Sequence, residues 1–245
     1  MVLLFEDILN GSFSFIFVTI STIVGLLIIS RYFKEKDITV LYMGSAIIFI
    51  ACPWWPSTTA FLVGIATGGT GLPEPIYILL GNSTVPIFHI LFTASLFELK
   101  FHKYKKYALA IIIVIDIIFE IALFILVWDP TIRHTQLGRL QAPSIVDIDF
   151  EGMLQIYLTL TIIYIVTLGV LIARETMLLL DKEIRLKGKF LLGSFIFFGI
   201  GAFIDGMLPL DALIISISRT FLILASIFFY FGFILPQWLK DRLLK

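Results

Sequence analysis

Seven runs of mostly apolar residues follow one another along this chain, at residues 12–30, 38–65, 76–97, 108–128, 153–173, 190–208 and 212–235. A helix needs roughly 20 apolar residues to cross the hydrocarbon core of a bilayer, and each run meets or approaches that length. The runs are continuous, whereas barrel strands would alternate over about ten residues, so helices are expected. Charged residues make up 15% of the chain, against about a quarter in a soluble domain. Together the runs and their connections use nearly all of the 245 residues. The expected fold class is all-α: an integral membrane bundle of seven transmembrane helices, forming a single domain over residues 1–245.

The basic residues set an expected orientation. Segments 31–37, 98–107 and 174–189, with the tail after Pro236, hold fifteen of the eighteen Lys and Arg. The other side has only Arg133 and Arg139, and Arg219 lies within the last run. Basic loops stay in the cytoplasm, so the N-terminus is expected outside and the C-terminus inside the cell membrane. An even number of spans would break this alternation. Trp128 and Trp238 close opposite ends of spans, where amphipathic rings favour the headgroup level. The tail from Trp238 to Lys245 mixes apolar and basic residues and is expected to lie along the inner surface or to extend the last helix, as a simple anchor. Met1 to Asn10 carries Glu6 and Asp7 and no basic residue, the reverse of a secretory leader, so the first run reads as a retained span.

Several short motifs bear on local structure. Pro53-Trp54-Trp55-Pro56 removes two backbone donors and predicts a kink in the outer half of the second span. The paired tryptophans suit either a belt or a pocket, and the belt is the expectation. Residues 67–75 read as a loop, with no Lys to make a phosphate-binding site. Asp147, Asp149 and Glu151 alternate near the end of the longest outer loop, match no calcium loop, and are expected in a solvated turn. Asn10-Gly11-Ser12 fits a glycosylation sequon pressed against the first span. The sixth and seventh spans meet in a short turn around Pro209-Leu210-Asp211.

Ionisable residues inside the spans are the candidate site. Each costs roughly 2.5–3.5 kcal/mol at bilayer depth unless it has a partner or a wet cavity. Asp116, Glu120, Asp205 and Arg219 lie well inside, and Asn82 and His89 add weaker polar groups. Counting helical rise places Glu120, Asp205, Arg219 and Asn82 in one layer, and His89 with Asp116 in a second, closer to the cytoplasm. Asp205 and Arg219 face each other across the last hairpin, which predicts an ion pair with Glu120 as third member. Asp116 and Glu120 share one helix side, and Tyr157, Thr161 and Tyr164 form a hydroxyl stripe on the fifth span. Gly199, Ala202 and Gly206 form a small-residue stripe that permits close approach of the sixth.

Several chemistries are disfavoured. The last span has no lysine for a retinal Schiff base. His89 is the only histidine inside a span, too few for a bis-histidine haem or a zinc hydrolase. Cys52 stands alone, which excludes an internal disulfide and a cysteine-based metal cluster. No catalytic motif is present, so no enzyme activity and no cofactor are expected. A net charge of zero gives no reason to expect nucleic acid.

The N-out plan, the Pro53-Trp54-Trp55-Pro56 span, the Arg185-Leu186-Lys187-Gly188-Lys189 lead-in to the sixth helix and the short last hairpin resemble the seven-helix N-terminal sensor region of histidine kinases. They are also similar to archaeal seven-helix membrane proteins. The resemblance implies a sensory or binding role, with a separate cytoplasmic partner or a homo-oligomer to carry the signal. The first expectation is therefore a non-enzymatic sensor or receptor-like protein, set in membrane lipid, with a small-molecule ligand at Arg219, Asp205, Glu120, Asn82, Asp116 and His89. An ion-coupled carrier and a structural subunit of a larger complex remain open. Absence of internal repeats and of a second broken helix counts against the carrier.

Overall fold

A computed structural model describes residues 3–99, 101–208 and 211–244, the side chain of Leu99 excepted. Seven helical segments are long and apolar enough to cross a membrane: Phe5–Glu35, Ile38–Thr67, Glu74–Glu98, His102–Leu126, Gly152–Met177, Lys182–Met207 and Ala212–Phe233. We number them spans 1 to 7. Span 1 is one helix, α1 (Phe5–Glu35), while span 2 is α2 (Ile38–Phe49) followed by α3 (Trp55–Thr67). Span 3 is α4 (Glu74–Asn82) and α5 (Val85–Leu99), and span 4 is α6 (Lys105–Leu126) with a short turn of helix before it. A short α7 (Pro130–Gln136) and a hairpin of β1 (Gly138–Leu140) and β2 (Ile148–Phe150) lead to span 5, α8 (Gly152–Met177). Spans 6 and 7 are α9 (Lys182–Met207) and α10 (Ala212–Phe233), and α11 (Gln237–Leu243) closes the chain. The end of the bundle bearing the hairpin is called the loop end below, and the opposite one the basic end.

Aspartates start several of these helices. The side chains of Asp37, Asp129, Asp181 and Asp211 each accept a backbone amide of the following turn. A carboxylate there satisfies a donor that the helix cannot and meets the positive end of its dipole. The spans outrun the apolar runs that mark them, because a helix continues as long as its backbone bonds can be made. Span 1 starts at Phe5, so Glu6, Asp7 and Asn10 lie inside its first two turns.

Span 2 is interrupted as the two prolines predict, by a tight turn at Cys52–Trp54. Span 3 is interrupted too, at Ser83 and Thr84, which corrects the expectation of a single broken helix. Pro86 explains the restart: in the first turn of α5 its missing N–H costs no helical bond. The two breaks face each other. A Cβ on Gly81 would come within 2.9 Å of the Pro56 ring and 3.5 Å of the Pro53 carbonyl oxygen, so only glycine permits this approach.

The spans form a ring in chain order. Helix α1 packs on α2 and on α10, α2 on α5, α5 on α6, α10 on α9 and α9 on α8. Phe119 of α6 stacks on Tyr157 of α8 at 3.6 Å and closes the ring. Where α1 crosses α2, a Cβ on Gly25 would stand 2.6 Å from the Gly44 carbonyl oxygen, and one on Gly44 would stand 2.8 Å from that of Gly25. Small residues of this kind let two backbones touch where the hydrophobic effect cannot drive them together. Phe17, Phe92, Phe195 and Phe229 fill the interior, while Ile111, Val114, Ile118, Ile121 and Ile125 of α6 are exposed. Apolar side chains thus cover the outside of the bundle as well as its core.

The segment after span 4 is not the solvated turn expected around Asp147. Its strands pair antiparallel, Gly138 opposite Phe150, and Asp147 to Phe150 are only half-exposed. Three ties hold it on the bundle: the Tyr77 hydroxyl donates to the Val146 carbonyl (2.7 Å), the Ser144 hydroxyl to Asp7 (2.5 Å), and Arg133 pairs with Glu74 (2.9 Å). In the expected last turn, Pro209 and Leu210 lie outside the described residues, and Asp211 caps α10. At the basic end α11 is a separate helix, fastened by an ion pair between Lys240 and Glu183. Lys245, Met1, Val2 and Lys100 are likewise outside the described residues.

Candidate functional site

Arg219 sits midway along one face of α10 and is 2% exposed. Its Nη1 lies 2.5 Å from Asp205 Oδ1, so the ion pair expected across the last hairpin is present. The contact is close without being an aligned hydrogen bond, since Nη1 points no proton at an acceptor. The rest of the fork is held by Asn10, whose Oδ1 accepts from Nη2 at 2.7 Å and from Nε at 3.3 Å. Trp54 completes the set: its ring lies 5.7 Å from the guanidinium carbon, and its Nε1 donates to Asp205 Oδ2 at 2.8 Å. The two carboxylate oxygens therefore have different partners, and the cation is neutralised, forked and covered by an aromatic face.

Three of these placements depart from the sequence reading. The third member is Asn10, not Glu120, which makes no hydrogen bond or ion pair with Arg219 among the described residues. Trp54 is 5% exposed and belongs to a buried site, not to a belt. Arg219 presents no open face, so an anionic ligand would first have to displace Asp205 or Asn10. Asn10 escaped notice because it precedes the apolar run, although a helix begun five residues earlier brings it under Arg219. Its burial also gives the sequon no accessible acceptor.

The second set gathers around His89 of α5. Nδ1 lies 2.8 Å from Asp116 Oδ1 of α6, and Nε2 lies 3.0 Å from the Thr161 hydroxyl of α8. Tyr157 donates to the same Asp116 oxygen at 2.8 Å, and the Tyr164 hydroxyl meets that of Thr93 at 2.6 Å. The hydroxyl stripe read on the fifth span thus supplies partners to the third and fourth. Asp116 Oδ2 is buried without a partner. Glu120, one turn away from Asp116, has a buried Oε1 that is also unpartnered. Asn82 joins neither set. Its amide donates to the Ile78 carbonyl of its own helix at 2.8 Å. The six residues singled out in the sequence therefore divide: Arg219 with Asp205, His89 with Asp116, and Glu120 and Asn82 apart.

A narrow cavity of about 70 Å³ lies between these two sets. It lies among spans 2, 3, 5 and 6 and is lined mostly by apolar side chains, among them Phe88, Ile165 and Phe198. Asp205 and Trp54 form part of its wall on one side, and Thr161, the partner of His89 Nε2, forms part on another. Gly206 and Ala202 also line it. A Cβ on Gly206 would meet nothing within 4 Å, so this part of the small-residue stripe leaves room instead of closing a helix contact. Gly199 does serve approach, with Val166 within 2.5 Å of its would-be Cβ.

A second cavity of about 160 Å³ opens at the loop end, beneath the residues before β2. Asn10 forms part of its wall together with Glu6 of α1, Gln141, Ser144 and Asp147. Asp147 is held well above the ordinary aspartate value of 3.8, at about 7, first by burial and then by the neighbouring Asp205, with Arg219 pulling the other way. The Arg219 set is thus the partition between an apolar chamber and a polar one. Among the described residues no group of three His, Cys, Asp or Glu could hold a metal ion. Comparisons of this chain with protein-family models, with curated proteins and with solved structures found no match.

Proposed function

We propose that the chain is a non-enzymatic, multi-pass sensor of the cell membrane, receptor-like in plan, that takes a small and largely apolar molecule into the chamber between spans 2, 3, 5 and 6. One observation carries this reading: a single narrow cavity of about 70 Å³ touches both polar sets, through Asp205 and Trp54 and through Thr161. An occupant that interacts differently with two arrangements of these groups shifts the balance between them. The resemblance to kinase sensor regions points the same way. The proposed orientation is N-terminus outside and C-terminus in the cytoplasm, supported by the fifteen of eighteen basic residues on one side. Trp128 and Trp238, 60% and 61% exposed toward opposite ends, suit the two headgroup levels. The exposed isoleucines of α6 suit contact with lipid. The basic end would pass the signal to a cytoplasmic partner or a second copy of the chain.

The test is occupancy of the chamber. With Trp55, Trp128 and Trp238 replaced by Phe, Trp54 is the remaining fluorophore, and a bromine-tagged short-chain alcohol serves as probe. The expected result is saturable quenching in the parent and none in Gly206→Leu, whose side chain enters open space. Quenching that rises without limit, or equally in both proteins, would defeat the assignment.

The facing breaks of spans 2 and 3 favour a second reading, an ion-coupled carrier. Transport sites are built at interrupted helices, where freed carbonyls and helix ends meet the cargo. Proton flux in proteoliposomes that Asp116→Asn abolishes would promote this reading, and no flux in the parent would retire it.

A further inference from the structure

The cavity at the loop end has features that the apolar chamber lacks. Its acidic side chains come from two directions, Glu6 from α1 and Asp147 from the chain leading into β2, and no basic residue lines it. Neither acid is spoken for. Glu6 makes no hydrogen bond or ion pair among the described residues, and the Asp147 side chain accepts only the amide of Ile148, at 3.0 Å. Asn10 supplies the independent observation. It is 1% exposed and lines the cavity; its Oδ1 is committed to Arg219 and Ser14, yet its Nδ2 is buried with no partner. A buried amide N–H without an acceptor has lost its hydration for nothing, a cost that a ligand acceptor placed there would recover.

These groups define complementary chemistry. Two carboxylates ask for a cation with several N–H donors, and one amide donor asks for an acceptor a few ångströms away. A bare metal ion answers only the first requirement, and an anion is opposed by both acids. We infer that the loop-end cavity is a binding site for a small organic ammonium compound carrying a hydrogen-bond acceptor, with Glu6 and Asp147 receiving the ammonium group and Asn10 donating to the acceptor. Arg219 lies behind Asn10 and keeps Asn10 Oδ1 occupied, so the amide is held with its donor side free.

Binding should strengthen as Asp147 loses its proton. The groups that set its charge are Asp205 of α9, Arg219 of α10 and Asp149 of β2, and Tyr77 of α4 feels its charge in turn. A cation added to this setting favours the ionised form, so affinity rises from about pH 6 to about pH 8.

The experiment uses the full chain in uncharged phosphatidylcholine nanodiscs, with ethanolamine as probe, glycolate as the matched anion and sodium as the matched bare cation. Ethanolamine is expected to bind saturably by calorimetry and to raise the unfolding temperature, while glycolate and sodium do neither. The double variant Glu6→Gln with Asp147→Asn keeps side-chain shape and should weaken ethanolamine binding about tenfold or more. Asn10→Ser, which shortens the donor, should weaken it less. The inference is overturned if glycolate or sodium gives the same response, if the parent shows no saturable binding of ethanolamine, or if a folded double variant binds it as the parent does.

Discussion

Arg219 and His89 each lie opposite an aspartate, yet the two pairs are built differently. Asp205 and Arg219 come from consecutive spans, and the guanidinium is shared with Asn10 and covered by Trp54. Such a cation has no proton to give up, so the pair is a permanent fixture whose role is to hold α1, α9, α10 and the break of span 2 together. The imidazole of His89 reaches two further spans, through Asp116 of α6 and through Thr161 and Tyr157 of α8. Both of its nitrogens are engaged, while Asp116 keeps one oxygen without a partner. One region is fixed in charge and structural in effect. The other is a hydroxyl-rich network with a carboxylate oxygen left over and a wall in common with the apolar chamber, which makes it the better candidate for the part that moves.

That contrast can be broken most severely at Arg219. Replacement by Ala leaves the Asp205 carboxylate without its cation, and losing one partner of a buried pair costs about 3–5 kcal/mol. Arg219→Ala should therefore lower the unfolding temperature sharply in detergent. Arg219→Lys keeps charge without the fork and should fall between Ala and the parent, both in stability and in response to a chamber ligand. Equal, full retention in both variants would remove Arg219 from the argument. At His89 the expected loss is smaller, about 1–3 kcal/mol for His89→Ala, because Tyr157 still donates to Asp116. If His89→Ala proved the more damaging of the two, the roles assigned above would be reversed.

A subtler effect should appear with pH at the loop end. The Asp147 carboxyl, raised from 3.8 to about 7, binds its proton more tightly in the folded chain than in the unfolded one. Folding is therefore favoured at low pH, and that advantage is lost as pH rises from the lower value through the higher. Unfolding temperatures measured from about pH 4 to about pH 8 should slope downward in the parent, and less steeply in Asp147→Asn. The smallest change is expected at Gly206→Leu, within about 0.5 kcal/mol, since its side chain meets open space. A large loss there would mean that the chamber is closed in solution.

The spans were legible because bilayer length and continuous apolar composition constrain sequence strongly. Position counting along two consecutive helices sufficed for Asp205 and Arg219. What escaped depended on how far helices extend beyond their apolar stretches and on side-chain direction. Asn10 lies before the first apolar run, and nothing in composition says that the helix already includes it. Glu120 was assigned by depth alone, but its helix sits across the ring from α10, so equal depth did not mean contact. The break in span 3 was masked because Pro86 lies within an apolar run. Asp147 looked solvated because alternating acids usually are, and only the ties from Tyr77, Ser144 and Arg133 fold that segment onto the bundle.

The guanidinium of Arg219 stands between two chambers that do not otherwise meet, with Asn10 on one wall and Asp205 and Trp54 on the other. An occupant that tugs on Asn10 alters what Asp205 has to neutralise, and the reverse holds equally. Thermodynamic reciprocity then requires that whatever factor one guest imposes on the affinity of the other be returned in full. A protein with this partition would behave as a two-input device, weighing a water-borne solute against a lipid-borne one.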